Sequence, residues 1–177
     1  LHEGTRRLMA AENADEVARV ASEIARDALS LELNSVLLYE EQAGPDAEHG
    51  ALVPTAVTER TEALLETVPT IGPGSIAWGA FQASETIVHG DVRRADNVYN
   101  PETPIRSEVH IPLGEAGIFI ASSTTPNDFD PETITLVRIL AANVEAALER
   151  ARREAQLAER TAELERQNDR LDAFAST

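Results

Sequence analysis

His89 and His110 are the residues whose chemistry would matter most, because two imidazoles facing one pocket can ligate haem or a metal ion. No carboxylate or further histidine stands at ligand spacing from either, so no metal centre is expected. The chain contains no cysteine, which removes disulfides, thiolate metal sites, cysteine nucleophiles and thioether-linked chromophores together. No Ser/His/Asp arrangement, phosphate loop or metal motif occurs, and catalysis by this chain is not expected. Trp78 and Phe81 fall in one short segment, although aromatic residues make up only 4% of the chain. Large aromatics of this kind ordinarily fill a core.

The charge balance sets the surroundings of any such site. Asp and Glu total 31 against 15 Lys and Arg, all 15 of them Arg, for a formal net charge of -16. That sign repels a phosphate backbone, so nucleic acid is not an expected partner. An acidic, lysine-free, alanine-rich surface suits a protein kept soluble in molar salt, where charges are screened within a few ångström. The expected source is a halophilic archaeon. No apolar run reaches the roughly 20 residues that cross a bilayer, and the start lacks a signal-peptide pattern, so a cytoplasmic location away from membranes is expected. The absence of an initiator Met, and an end on an uncapped amphipathic segment, suggest a piece of a longer protein.

The elements that must position these residues follow from periodicity. Helical spacing runs over 3–9 and 14–31, with Val17, Val20, Ala21, Ile24, Ala28 and Leu31 on one stripe and Asn13 or Asp15 as cap. Residues 34–40 predict a strand and 51–59 its hairpin partner, where Pro54 favours a sheet edge. After a short segment at 61–68, Pro69, Gly72, Pro73 and Gly74 punctuate the chain, and a helix over 75–83 and a strand over 85–89 follow. Residues 91–104 are polar and carry two prolines, as a mobile lid would. Val109 and Ile111 alternate with Glu108 and His110 in a strand over 107–113, which hairpins through 114–116 into a strand over 117–122. Asp128, Phe129, Asp130 and Pro131 then start a helix that no Pro or Gly interrupts. At 1.5 Å per residue, 132–174 would extend roughly 65 Å, far beyond the needs of one domain.

This order of elements resembles a GAF domain. The residues that carry the resemblance are Asn34 to Tyr39 in the first strand, the run Ile105, Arg106, Ser107, Glu108, Val109, His110, Ile111, Pro112 and Leu113, and the helix from Phe129 to Leu148. The resemblance covers about residues 1–152. It implies an α+β fold, PAS-related, in which a central antiparallel sheet of five or six strands is flanked by helices and followed by a long C-terminal signalling helix. It also implies a pocket for a small molecule between the sheet and residues 74–100. Trp78, Phe81, His89, Tyr99, Arg106 and His110 are the candidate ligand-binding residues. The cofactor, if any, is unspecified.

Leu164 to Ser176, ending in LDAFAS, is similar to the start of the dimerisation and phosphoacceptor helix of a sensor histidine kinase. Leu157, Leu164 and Leu171 are spaced by seven, with Thr161, Asn168 and Ala175 interleaved as in a parallel two-stranded coiled coil, where a seam Asn fixes register. The same phase extended backwards meets Arg150 and Glu154, whereas Val144, Ala147, Ala151, Ala155, Ala158 and Ala162 follow another. Two competing seams would suit a rotational switch. The expected organisation is a sensory domain over 1–150 and a coiled-coil linker over 151–177 that forms a homodimer and leads to a kinase domain in cis. The competing reading is a ligand-free dimerisation domain of a kinase or of a transcriptional regulator.

Overall fold

The computed structural model describes residues 2–44, 48–98 and 100–176. Two helices, α1 (His2–Ala10) and α2 (Ala14–Leu29), open the chain. Asn13 is the cap of α2, accepting a hydrogen bond from Glu16 N at 2.9 Å, and Ser30 closes it in the left-handed conformation at φ 56°. Strands β1 (Asn34–Glu40) and β2 (Ala51–Val57), helices α3 (Glu59–Leu65) and α4 (Ile76–Ala83), and strand β3 (Ile87–His89) follow. Then come β4 (Ser107–Pro112), β5 (Gly117–Ser123) and the helix α5 (Pro131–Ala175).

The strands form one five-stranded antiparallel sheet in the order β2-β1-β5-β4-β3. Pro54 stands in β2, at the edge, where its missing N–H costs the ladder least. The register skips one residue there, since Val36 pairs with Ala56 and Leu37 with Pro54, leaving Thr55 as a bulge. Residues 58 and 59, expected in the strand, instead cap and begin α3: Thr58 accepts from Thr61 N. Among the described residues of the segment 91–106 the only regular element is a turn of 3-10 helix, Val92–Arg94.

The sheet divides two cores because successive side chains of a strand point to opposite faces. Val36, Val109, Ile111, Phe119 and Ala121 pack against α1, α2 and the first half of α5, including Leu8, Val17, Ala21, Val137, Leu140 and Val144. On the other face Leu37, Ile118 and Ile120 pack with Leu52, Ala77, Trp78 and Ala80. A third small cluster, Leu33, Val92 and Ile105, ties the 91–106 segment down with Leu64 and Leu65 of α3.

Asp130 caps α5 through Thr133 N at 2.7 Å, and Pro131 occupies its first turn. Its 45 residues span roughly 68 Å. Val137, Leu140, Ala141, Val144, Ala147, Leu148 and Ala151 are buried, and every described residue from Arg152 onward is exposed. Val144 and Ala147 of the upstream apolar phase belong to the stripe that α5 packs within its own domain and Ala151 is buried as well, whereas Ala155, Ala158 and Ala162 are exposed. Arg150, expected in the backward extension of the seam, is turned inward. Its Nη2 donates to Ala11 O at 2.8 Å and Leu8 O at 3.5 Å, the carbonyls at the end of α1, and its Nη1 donates to Glu154 at 3.2 Å. The heptad leucines Leu157, Leu164 and Leu171 are exposed.

Candidate functional site

A cavity of about 190 Å³ lies between the sheet, α3, α4 and the 91–106 segment. Its floor is made by neighbouring strands: Ser35 and Leu37 from β1, Ile120 and Ser122 from β5, Glu108 and His110 from β4. Its walls include Leu65 of α3, Ile71 of the following loop, and Ile76 and Ala77 at the start of α4. Thr103 and Ile105 close it from the outer segment.

Polar groups on this floor are joined to one another. Ser122 Oγ donates to Glu108 Oε1 at 3.0 Å, and His110 Nε2 lies 3.3 Å from Glu108 Oε2. A carboxylate only accepts, so a proton on His110 Nε2 suits this pairing, and in the neutral ring Nδ1 is then an acceptor. The His110 side chain is 2% exposed, and its Nδ1 has no hydrogen-bond partner. His89, directly across the β3–β4 ladder from Glu108, approaches the His110 ring edge-on at 5.9 Å between centroids. Burial pushes the His89 imidazole below its ordinary value of 6.5, and the neighbouring His110 pushes the same way against the pull of Glu108. Among the described residues no three His, Asp or Glu groups converge to hold a metal ion.

The other residues expected at a site go elsewhere. Trp78 and Phe81 stand three positions apart on α4 and share a helical face, and neither lines the cavity, which Ile76 and Ala77 reach from the start of the helix. Their rings pack on Tyr39 at 6.3 and 5.4 Å and on each other at 5.8 Å. With Trp78 6% exposed, this is an aromatic core cluster, bordering the broad groove where α5 leaves the domain. Arg106 forms a double hydrogen bond to Asp91, at 3.2 and 2.8 Å, which holds the Asp91 carboxyl below the usual carboxylate range. Arg93 donates twice to Thr103 O, at 3.0 and 2.6 Å. These bonds tie the two ends of the segment expected as a lid to each other. His110 is the expected residue that lines the cavity, and Tyr99 lies outside the described residues.

Sequence reasoning missed Ser35, Glu108 and Ser122 as cavity residues. The available signal was a polar residue at an inward position of an otherwise apolar strand, and Glu108 and His110 share that phase in β4.

The fold and the pocket between sheet and helices define the class. The family model for the GAF domain matches residues 11–149, and the chain belongs to that family, whose members are signalling sensor domains. Among curated proteins none matches the chain. Solved structures with the same fold include the GAF domain of a phosphoenolpyruvate-protein phosphotransferase from Coxiella burnetii. It is 17% identical, with a TM-score of 0.69 over 88% of this chain and 94% of that one. The free methionine-R-sulfoxide reductase of Neisseria meningitidis, in complex with its substrate, is 20% identical, with a TM-score of 0.68 over 86% and 88%. A domain assigned to a two-component sensor histidine kinase of Sinorhizobium meliloti is 20% identical, with a TM-score of 0.61 over 82% and 95%.

Proposed function

We propose that this chain is the sensory input module of a histidine kinase, which binds a small molecule in the cavity and passes its state through a parallel dimer of α5 to a kinase domain in cis. The observation that carries this reading is the continuity of α5. One unbroken helix is packed into the domain through Ala151 and then presents Leu157, Leu164 and Leu171, at 65%, 60% and 68% exposure, on a heptad stripe. The LDAFAS tail supports a kinase as output, and the chain acts in this reading by binding rather than catalysis. The cavity favours it over a purely structural dimerisation domain.

Because the chain has no cysteine, single substitutions report the geometry directly. Leu157→Cys, Leu164→Cys and Leu171→Cys should each cross-link to the same residue of a second copy on mild oxidation, while Glu163→Cys, off the seam, should not. Cross-linking at one position alone would indicate an antiparallel pair and sink the transmission model.

The proposal includes a salt-adapted archaeal cytoplasm as the working environment. The net charge of -16 repels itself at low ionic strength, and screening relieves that repulsion. The thermal midpoint should therefore climb steadily from dilute buffer to molar KCl; a midpoint that stays level or falls would contradict the salt adaptation.

A further inference from the structure

The cavity's chemistry restricts what it can hold, an inference that rests on the cavity being the receptor site. Among its described lining residues only Glu108 and His110 are ionisable, and none is Arg. The three arginines of the adjoining segment are directed elsewhere, Arg106 and the exposed Arg94 to Asp91 and Arg93 to the Thr103 carbonyl. An entering phosphate or carboxylate would therefore meet a carboxylate in a largely apolar enclosure, without a cation to offset the repulsion. The start of α4 at Ile76 and Ala77 supplies the positive end of a helix dipole, but that is a fraction of a charge against the whole charge of Glu108.

The acceptors, by contrast, are in surplus. One Glu108 oxygen accepts a bond from Ser122 and the other lies 3.3 Å from His110 Nε2, and each has a further lone pair. His110 Nδ1 is a further acceptor, on a side chain 2% exposed, with no donor to meet it. Leaving such a group buried and unmet is unfavourable, and a ligand N–H would offset that cost. The volume of about 190 Å³ is a little larger than the cavity of roughly 150 Å³ known to enclose benzene. One ring with a short substituent fills it.

We propose that the pocket receives a nitrogen-donor ligand of single-ring size, an amine, amidine or amide without negative charge, with its N–H groups on Glu108 and His110 and its apolar part against Leu37, Ile76 and Ile120. Benzylamine, benzamide and benzoate share a ring and differ in charge and donors, and calorimetry in one KCl buffer ranks them on the unmodified chain. Benzylamine or benzamide should bind at least tenfold more tightly than benzoate, and Glu108→Gln should weaken benzylamine at least tenfold. The ranking on the unmodified chain is decisive even if that variant does not fold. Benzoate binding as tightly as the other two would overturn the ligand class while leaving the pocket as a receptor. Binding of none of the three, up to their solubility, would overturn the receptor reading together with it.

Discussion

Replacing Gly117 by alanine should cost the fold about 3 kcal/mol or more, because the methyl group has no space that side-chain movement can open. Gly117 opens β5 opposite Leu38 of β1, at φ 156°. A Cβ there would lie 2.1 Å from Leu37 O and 2.9 Å from Leu38 Cα, both backbone atoms of a strand held by partners on either side. The clash can be relieved only by parting β1 from β5 in the middle of the sheet, where Leu37 and Ile118 are fully buried. Gly79 makes the control, since it sits inside α4 with nothing within 4 Å of its added Cβ. Gly79→Ala should stabilise by about 0.5–1 kcal/mol through helix propensity. Denaturant unfolding of the two variants should thus move in opposite directions, and a Gly117→Ala midpoint close to the unmodified chain would show that the β1–β5 register is misplaced.

The second large effect concerns association. Leu164 is 60% exposed on the single chain, at the centre of the stripe formed with Leu157 and Leu171. A leucine buried in a coiled-coil seam is worth about 1.5–3 kcal/mol, and a dimer loses two when the sequence changes once. Leu164→Ala should therefore raise the dimer dissociation constant by roughly two to four orders of magnitude. Glu165→Ala, one residue off the seam, should leave it nearly unchanged. Sedimentation equilibrium across a concentration series reads both. A Leu164→Ala dimer as tight as the parent would mean that some other surface joins the copies.

These two residues mark the boundary between local and long-range information. The heptad leucines are legible from spacing because a helix repeats its faces at a fixed interval; the bounds of β1 and the edge position of Pro54 are legible too, and the structure chooses Asn13 over Asp15 as the cap of α2. The first residues of the upstream phase of α5, Val144 and Ala147, read as part of a second seam for a related reason. Periodicity reports that a face is apolar, not whether α2 of the same chain or another chain covers it. Trp78 and Phe81 drew attention by type, yet the rotation of α4 turns them to Tyr39 and gives the cavity to Ile76 and Ala77.

From composition and order alone came the absence of thiol chemistry, the acidic surface, the α+β succession of elements and the long exit helix, all of which depend on residue identity or on neighbours a few positions apart. The cavity needed the folded chain. Ser35, Glu108 and Ser122 lie far apart in sequence and meet only because β1, β5 and β4 lie side by side in one sheet, with register placing all three on its α4 face. No local pattern encodes strand neighbours, since pairing between distant strands is chosen by the packing of the whole core.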